Sequence, residues 1–444
     1  MSGRSANRAL ASRMHSESGA TLIQVAVMIV VLSGFSALVL DQGVMWLARV
    51  QAQNAADAGA LAGALARAFD ETTPPVAGGL AETSARTTAL SNTVGTSGGV
   101  TGVTVGWTCP TFALGSPGVA GPRCARVDVF RDGTNSSTPL PTFFANVFAV
   151  TSQPVRASAT AWVANTATAS CMRPFAIADR WSEKGPVPPY NQLGEFNRWR
   201  SMGPGAVQIP TPDVYLPPTT TSTGTGYTVT ADVGTLVTIK VNNGSSAITP
   251  GWFLALQVPK TVDAVTGLPT SYTNGASEYQ AAIKTCVSKP VSIGQYLPLE
   301  TGAMVGPTAQ GTMTDGDSLY NKDPGATWVG GVGGSVSGGC VPACGALSPR
   351  IVPITVFDLD EYQWRVIANN WTNEWIPGVG PGGGNFTCPG GKCVRVANIV
   401  GVFITGMVMG DVQGRIVRYP GQFVANVPNI AVGASFLTSV QLIR

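Results

Sequence analysis

The sequence predicts an α+β protein that is mainly β, in which an N-terminal transmembrane helix continues into a long Ala-rich helix and is followed by β-rich domains. An uncharged run covers residues 20–40, and an Ala-rich segment continues it to Phe69 without a Gly-Pro break. Over the whole chain Gly and Pro are frequent, with 54 and 32 of 444 residues, and only 11% of the residues are charged. That composition is typical of strands joined by many turns.

The uncharged run is long enough to cross a bilayer. A hydrocarbon core of about 30 Å needs about 20 apolar residues in a helix, and residues 20–40 contain four polar side chains, namely Thr21, Gln24, Ser33 and Ser36. The apolar core of a cleaved signal peptide is shorter, about 7–15 residues. We therefore predict an uncleaved anchor and five segments: a tail at 1–19, the transmembrane helix at 20–40, an Ala-rich helix at 41–70, an α+β module with a hairpin at 71–168 and a β-rich domain at 169–444.

The charges of the leader predict the orientation of this anchor. The leader carries three arginines and one acid, namely Arg4, Arg8, Arg13 and Glu17. Because positive residues stay on the cytoplasmic side, residues 1–19 are expected in the cytoplasm and residues 41–444 in the periplasm. The sequence therefore predicts a single-pass inner-membrane protein.

The Ala-rich helix offers candidate contact residues. Gly59 and Gly63 form a small-xxx-small pair that permits close backbone approach, and Leu61 and Leu65 follow one another on one face. Asp57 is the single acid nearby. Two interpretations stay open: the helix packs on its own domain, or these five residues form an assembly surface. For the assembly surface we expect Gly63→Leu to leave the fold intact and to abolish contacts with partners.

All eight cysteines lie beyond the uncharged run, so an oxidising compartment favours disulfides. Their spacing favours the pairs Cys109 with Cys124 and Cys388 with Cys393. Cys340 could pair with Cys344 in the same way, which would leave Cys171 and Cys286 to each other. A zinc site formed by the four cysteines after residue 339 is the weaker alternative.

Alternating apolar and polar residues predict a hairpin from Val100–Trp107 and Cys124–Phe130, and a third strand at Val155–Val163. A short helix is expected near Leu80–Leu90 and a two-turn helix at Pro141–Phe148. Later strand candidates are Leu236–Val241, Trp252–Val258, Ile351–Phe357 and Val394–Val408.

The sequence gives little support for catalysis. The one histidine, His15, lies in the cytoplasmic tail, so no Ser-His-Asp triad can form outside the membrane. Two acidic runs are interpreted as solvated turns, with calcium binding as the alternative; they comprise Asp315, Asp317 and Asp323, and Asp358, Asp360 and Glu361. We expect no cofactor and no metal. A net charge of +3 without a Lys/Arg cluster also argues against nucleic acid as a partner.

The N-terminal module resembles the TadE/TadG-like family. The resemblance rests on the basic leader, Ser18-Gly19-Ala20, the apolar span, Asp41 and the Ala-rich residues 54–64. These proteins belong to the tight-adherence (Flp) pilus assembly machinery, which implies a secretin, an inner-membrane platform and pseudopilins as partners. The family usually has Ala where this chain has Gly59. The D-x-S-x-S site of some TadG-like proteins does not occur in this sequence.

The order of helix, hairpin, short helix and strand after the anchor also resembles TadG-like proteins, including the Phe-Phe-Ala segment at residues 143–145. The resulting hypothesis is a non-enzymatic, membrane-anchored component of Flp pilus assembly that acts by protein–protein contacts. It contacts lipid through one helix, and a homo-oligomer stays open.

Two alternatives remain. Gly19 with Gln24 resembles a prepilin cleavage site without its acid, so a minor pseudopilin processed after Gly19 is one. A periplasmic or surface glycan hydrolase that uses the acids of residues 315–323 and 358–361 is the other.

Overall fold

The computed structural model describes most of the chain in two compact units. The described residues are 4–69, 77–95, 102–109, 124–201, 205–239, 248–250, 252–341, 343, 347–424, 427, 429–431 and 433–443, with side chains from residue 19 onward except at 147, 148 and 201. Unit 1 comprises residues 1–111, 122–163 and 440–444, and unit 2 comprises residues 112–121 and 164–439.

Unit 1 is α+β. Its elements are α1 (Arg4–Phe69), α2 (Leu80–Leu90), β1 (Gly102–Gly106), β2 (Cys124–Arg131), β3 (Leu140–Pro141), a 3₁₀ turn (Ala145–Phe148), β4 (Ser152–Gln153) and β5 (Val155–Asn165), the last two residues of which belong to unit 2. Between Gly19 and Phe69, α1 contains an 18-residue stretch with a mean hydropathy of 2.5, and no residue of this stretch is buried. By length and composition, this helix is a candidate membrane span.

The second half of α1 packs on the sheet of unit 1. Strand β2 lies between β1 and β5 and pairs antiparallel with both, and residues 440–443 follow β5 in the sheet order. Val127 and Val129 of β2 are buried, whereas Arg126 is exposed, as expected for a strand with one covered face. The core is built almost wholly from Ala and Val. Such small side chains bring α1 and α2 close to the sheet.

Most of the unit 1 predictions are confirmed. The hairpin, the third strand and the helix at Leu80–Leu90 are present. The predicted two-turn helix is wrong in length, because only the single 3₁₀ turn forms between β3 and β4. The backbone N–H groups of Phe143, Phe144 and Ala145 donate to the Asp41 carboxylate, which fixes the start of this turn, and Ala149 in the left-handed conformation ends it.

Unit 2 is β-rich. Its elements are β6 (Thr168–Ala169), β7 (Phe175–Ala178), β8 (Trp199–Ser201), β9 (Ala206–Gln208), α3 (Val229–Asp232), β10 (Leu236–Ile239), β11 (Phe253–Ala255), β12 (Pro259–Val262), β13 (Pro269–Tyr272), α4 (Ala276–Lys284), β14 (Val291–Ser292), β15 (Tyr296–Pro298), α5 (Val305–Ala309) with a π-helical turn (Gln310–Thr314), β16 (Ala326–Val329), β17 (Ser335–Gly338), β18 (Ile351–Phe357), α6 (Leu359–Ala368), β19 (Asn373–Ile376), β20 (Gly380–Asn385), β21 (Cys393–Val408), β22 (Asp411–Val417) and β23 (Tyr419–Pro420). The last strand, β24 (Leu437–Ile443), passes from unit 2 into unit 1 after residue 439.

One large sheet organises unit 2. Its order is β10-β22-β21-β18-β7-β11, with β15 also paired to β21. The β18–β7 pair is parallel, whereas β18–β21 and β21–β22 are antiparallel. Successive residues of β7 enter different cores: Phe175 and Ile177 contribute to one, and Ala176 and Ala178 to the other. Both faces of the sheet are therefore covered, which explains why its central strands are continuous apolar runs.

The later strand candidates are confirmed where they are described. The strand at Ile351–Phe357 has the predicted bounds, and the candidates that begin at Leu236, Trp252 and Val394 correspond to β10, β11 and β21. Residues 240 and 241 of the first candidate lie outside the described residues. The helices α3, α4, α5 and α6 were not predicted from the sequence.

Three of the predicted disulfides are confirmed: Cys109–Cys124, Cys171–Cys286 and Cys388–Cys393. A bond between Cys388 and Cys393 contradicts the zinc alternative for those two thiols. Cys340 is also disulfide-bonded, but Cys344 lies outside the described residues, so the pairing of these two cysteines stays a prediction.

Candidate interaction surface on the long helix

The inward face of α1 packs on α2 and β2. Its fully buried residues are Ala48, Ala52, Ala55, Ala56, Ala60, Ala64 and Ala68. A Cβ at Gly59 would lie 2.9 Å from both the Ala85 carbonyl oxygen and the Ala89 Cβ, and a Cβ at Gly63 would lie 2.9 Å from the Ala85 Cβ. The small-xxx-small pair is thus filled by the chain's own α2. This packing contradicts the expectation that Gly63→Leu leaves the fold intact.

Asp57 also faces the body of unit 1. Its side chain is buried and accepts a hydrogen bond of 2.8 Å from the Gln53 amide, which donates as well to the Ser158 carbonyl on β5. Six residues before Asp57, the Gln51 side chain accepts a hydrogen bond from the Gly95 backbone N–H at 2.8 Å. These polar side chains therefore join the helix to its own strand and loop.

The opposite side of α1 is apolar and exposed. Leu47, Val50, Leu61 and Leu65 are 54%, 53%, 39% and 53% exposed, and Asn54 lies among them. At about 100° per residue, these five positions fall within one narrow arc of the helix. We call these five residues the outer stripe. Of the sequence-predicted contact residues, Leu61 and Leu65 lie on it, whereas Asp57, Gly59 and Gly63 do not.

The first half of the outer stripe was not predicted from the sequence. Leu47 and Val50 precede the Ala-rich motif that predicted the other contact residues. Their signal was present in the spacing of 3, 4, 7 and 4 residues from Leu47 through Asn54 to Leu65. An apolar helix face open to solvent is typical of a contact surface rather than of a solvated stalk.

The acids at residues 358–361 are not solvated turns. Asp358, Asp360 and Glu361 are each 1% exposed, and they begin α6, where the Asp358 carboxylate accepts the Glu361 backbone N–H at 3.0 Å. Their ion-pair partners are Arg395 for Asp358, Arg198 for Asp360 and Arg365 for Glu361. Burial raises the pKa of Asp360 and Glu361 to about 7. The pair with Arg395 fastens the start of α6 to β21 of the large sheet, and none of the three carboxylates is exposed to a glycan.

The acids of the run at residues 315–323 differ in how far they are exposed. Asp315 and Asp317 share the Lys284 ammonium at 2.5 and 2.6 Å, and Asp317 is largely exposed, as a turn residue would be. Asp323 also lies in a turn, but it is buried and accepts hydrogen bonds from the Ser348 hydroxyl and the Cys340 backbone N–H, so the prediction that it is solvated is wrong. Within the described residues, no three His, Cys, Asp or Glu side chains converge as metal ligands.

A further buried acid lines a pocket of about 550 Å³ in unit 2. The Asp179 carboxylate accepts hydrogen bonds from the backbone N–H groups of Tyr227 and Arg180, at 2.8 and 2.9 Å, and from the Tyr215 hydroxyl at 3.1 Å. Burial nevertheless raises the pKa of Asp179 to about 7, because the three donors do not offset the loss of water.

We expect Asp179→Asn to stabilise unit 2 at pH 8 and to have a clearly smaller effect at pH 5, because the destabilisation by the native carboxyl grows from about pH 4 to about pH 7. A carboxyl group with a raised pKa in the folded state binds its proton more tightly there, so it loses stability as the pH rises towards about 7. Thermal unfolding of the full chain at both pH values measures this. Asp263→Asn is a control with the opposite expected sign. Hydrogen bonds from Thr266 and Val265 lower the pKa of Asp263, so removing this carboxylate should destabilise unit 2 at pH 8. Equal midpoints for Asp179→Asn and the native chain at pH 8 would contradict the prediction.

The comparison with known families supports the resemblance at the N-terminus. Residues 19–67 match the family described as "Putative Flp pilus-assembly TadE/G-like". The matched segment contains the uncharged run at residues 20–40 and every residue of the outer stripe, and it supports involvement in Flp pilus assembly. Neither a curated protein nor a solved structure matches the chain.

Proposed function

We propose that this protein is a membrane-anchored component of Flp pilus assembly that acts without catalysis, through protein–protein contacts made by the outer stripe. The observation that carries the proposal is the position of the stripe. It continues the helix of the candidate span beyond residue 40, lies inside the family-matched segment, and exposes leucine and valine where a solvated helix carries charge.

The proposed topology places residues 1–19 in the cytoplasm and residues 41–444 in the periplasm. The arginine bias of the leader supports this orientation, and so do three disulfides in the part assigned to the periplasm. The expected partners are other pilus-assembly proteins, namely the secretin, the inner-membrane platform and the pseudopilins. A second copy of the chain is a further candidate for the same surface.

The proposal predicts that Leu61→Gln/Leu65→Gln weakens contacts with pilus components. Burying a Leu fully contributes about 1.5–3 kcal/mol, and these two leucines are about half exposed. The pair therefore contributes about 1.5–3 kcal/mol, which is roughly a tenfold to hundredfold loss of affinity. Glutamine preserves helix propensity, so unit 1 should stay folded. Site-specific photo-crosslinking in cells and counts of surface pili measure the effect.

The matched control is Leu80→Gln/Leu90→Gln on α2. Leu80 and Leu90 are 54% and 40% exposed, nearly the same as Leu65 and Leu61, and lie in the same unit. These control substitutions should change neither crosslinks nor piliation. If the substitutions at residues 61 and 65 also leave both unchanged, α1 is only a stalk and the proposed contact surface is wrong.

A further inference from the structure

The chain holds an exposed aromatic tip at the point where α1 leaves the candidate span. Asp41 is the first charged residue after the uncharged run. Asp41 is 7% exposed, and its carboxylate accepts hydrogen bonds from the backbone N–H groups of Phe143 at 3.1 Å, Phe144 at 3.0 Å and Ala145 at 2.6 Å. All four residues belong to unit 1. A segment 102 residues away in sequence is therefore fixed beside residue 41.

The backbone of the tip is held in place while the phenyl rings of Phe143 and Phe144 stay exposed. Strands β3 and β4 pair through Leu140 and Gln153, and the Thr142 backbone N–H donates to the Thr151 carbonyl, which closes a short hairpin. With their backbone N–H groups held by Asp41, Phe143 and Phe144 leave their side chains 58% and 44% exposed. The rings are therefore accessible while the backbone is fixed.

The composition of this segment matches a lipid surface better than water. Residues 133–155 contain no charged side chain, and Val150, at the far end of the tip, is 41% exposed. On α1, Trp46 is 64% exposed and lies about 7.5 Å along the axis from Asp41. Aromatic side chains are favoured where the hydrocarbon core meets the headgroups.

We infer that the Phe143–Phe144 tip inserts into the headgroup–acyl boundary of the same bilayer that α1 spans, on the side where α1 emerges. The inference rests on the proposed membrane anchoring. Because the span ends at Leu40 and the tip is hydrogen-bonded to Asp41, both phenylalanines lie at the level of the membrane surface. The tip forms a second membrane contact beside the helix, and Asp41 positions it. Two contacts at one surface restrict the tilt of α1 and keep unit 1 close to the bilayer.

Photo-crosslinking to lipid tests this inference in the full chain, reconstituted in vesicles of phosphatidylethanolamine and phosphatidylglycerol. A benzophenone amino acid replaces one residue at a time: Phe143, Phe144, Phe35 within the span, or Leu80 on α2. Leu80 is the soluble-side control, because α2 contacts α1 near Gly63, about 33 Å along the axis from Asp41. We expect lipid adducts at residues 143 and 144, as at residue 35, and none at residue 80.

The outcomes separate this inference from the proposal on which it rests. Lipid adducts at residue 35 but not at 143 and 144 overturn the tip contact and leave the anchor intact, as do adducts from the tip to a second copy of the chain. Loss of lipid adducts at residue 35 as well overturns the anchor and the tip contact together. Asp41→Ala should abolish the adducts at residues 143 and 144 while those at residue 35 persist. Adducts that persist at the tip in this variant overturn the positioning role of Asp41.

Discussion

Removing the Cys171–Cys286 disulfide is expected to lower the free energy of unfolding of unit 2 by about 5 kcal/mol. The two cysteines are 115 residues apart, and the chain-entropy argument assigns about 5 kcal/mol to a loop of this length, against about 2 kcal/mol for a five-residue loop such as Cys388–Cys393. Chemical denaturation of Cys171→Ala/Cys286→Ala measures the loss. The bond joins Cys171, near the start of unit 2, to Cys286, which lies two residues after the end of α4.

The matched control for the disulfide is Cys171→Ser/Cys286→Ser. Neither cysteine is buried, so the loss should be the same with Ala or Ser if the crosslink, rather than side-chain packing, is responsible. A loss below about 2 kcal/mol in both variants would contradict the prediction, because it would mean that the unfolded chain is restrained without the bond.

Gly63→Leu is expected to destabilise unit 1 by about 3 kcal/mol or more. A Cβ at this position would meet the Cβ atoms of Ala85 at 2.9 Å and Ala125 at 3.1 Å, which belong to α2 and β2 and have no rotamer to change. Overpacking a tight core costs about 1–3 kcal/mol and occasionally more. Gly63→Ala should destabilise in the same direction. Limited proteolysis and thermal unfolding of the full chain measure the effect.

Gly43→Leu is the control on the same helix. No atom lies within 4 Å of a Cβ at Gly43, and Leu has a higher helix propensity than Gly, which is about 0.8–1 kcal/mol less favourable than Ala. This substitution should be neutral or slightly stabilising. If Gly63→Leu has the same effect as Gly43→Leu, the contact between α1 and α2 does not determine the stability of unit 1.

The sequence by itself determined the elements that depend on local pattern. The uncharged run and the Ala-rich repeat gave the helix that ends at Phe69, alternation gave the hairpin and the strand at Ile351–Phe357, and cysteine spacing gave the close pairs. These features could be predicted because periodicity, helix propensity and loop closure act over a few residues. The family match at residues 19–67 has the same basis, since its motif is continuous in sequence.

Only the tertiary structure decided which side of α1 is covered. Ala and Gly lie all round the second half of this helix, so the sequence left both interpretations open. Packing on α2 and β2 covers Gly59 and Gly63 and leaves Leu61 and Leu65 exposed. The choice depends on contacts with residues far away in the chain, which no window of the helix contains.

The same reason accounts for the acids of α6 and for Asp41. From the sequence alone an acidic run is interpreted as a solvated turn unless its cationic partners are known, and Asp360 meets Arg198, 162 residues earlier in the chain, only when unit 2 is folded. Burying a charge is costly unless it is paired or hydrogen-bonded, so the location of the partner decides whether the acid is exposed or structural. Asp41 in turn meets the backbone of Phe143 only because unit 1 folds back along α1. The bilayer contact inferred for the aromatic tip follows from that fold.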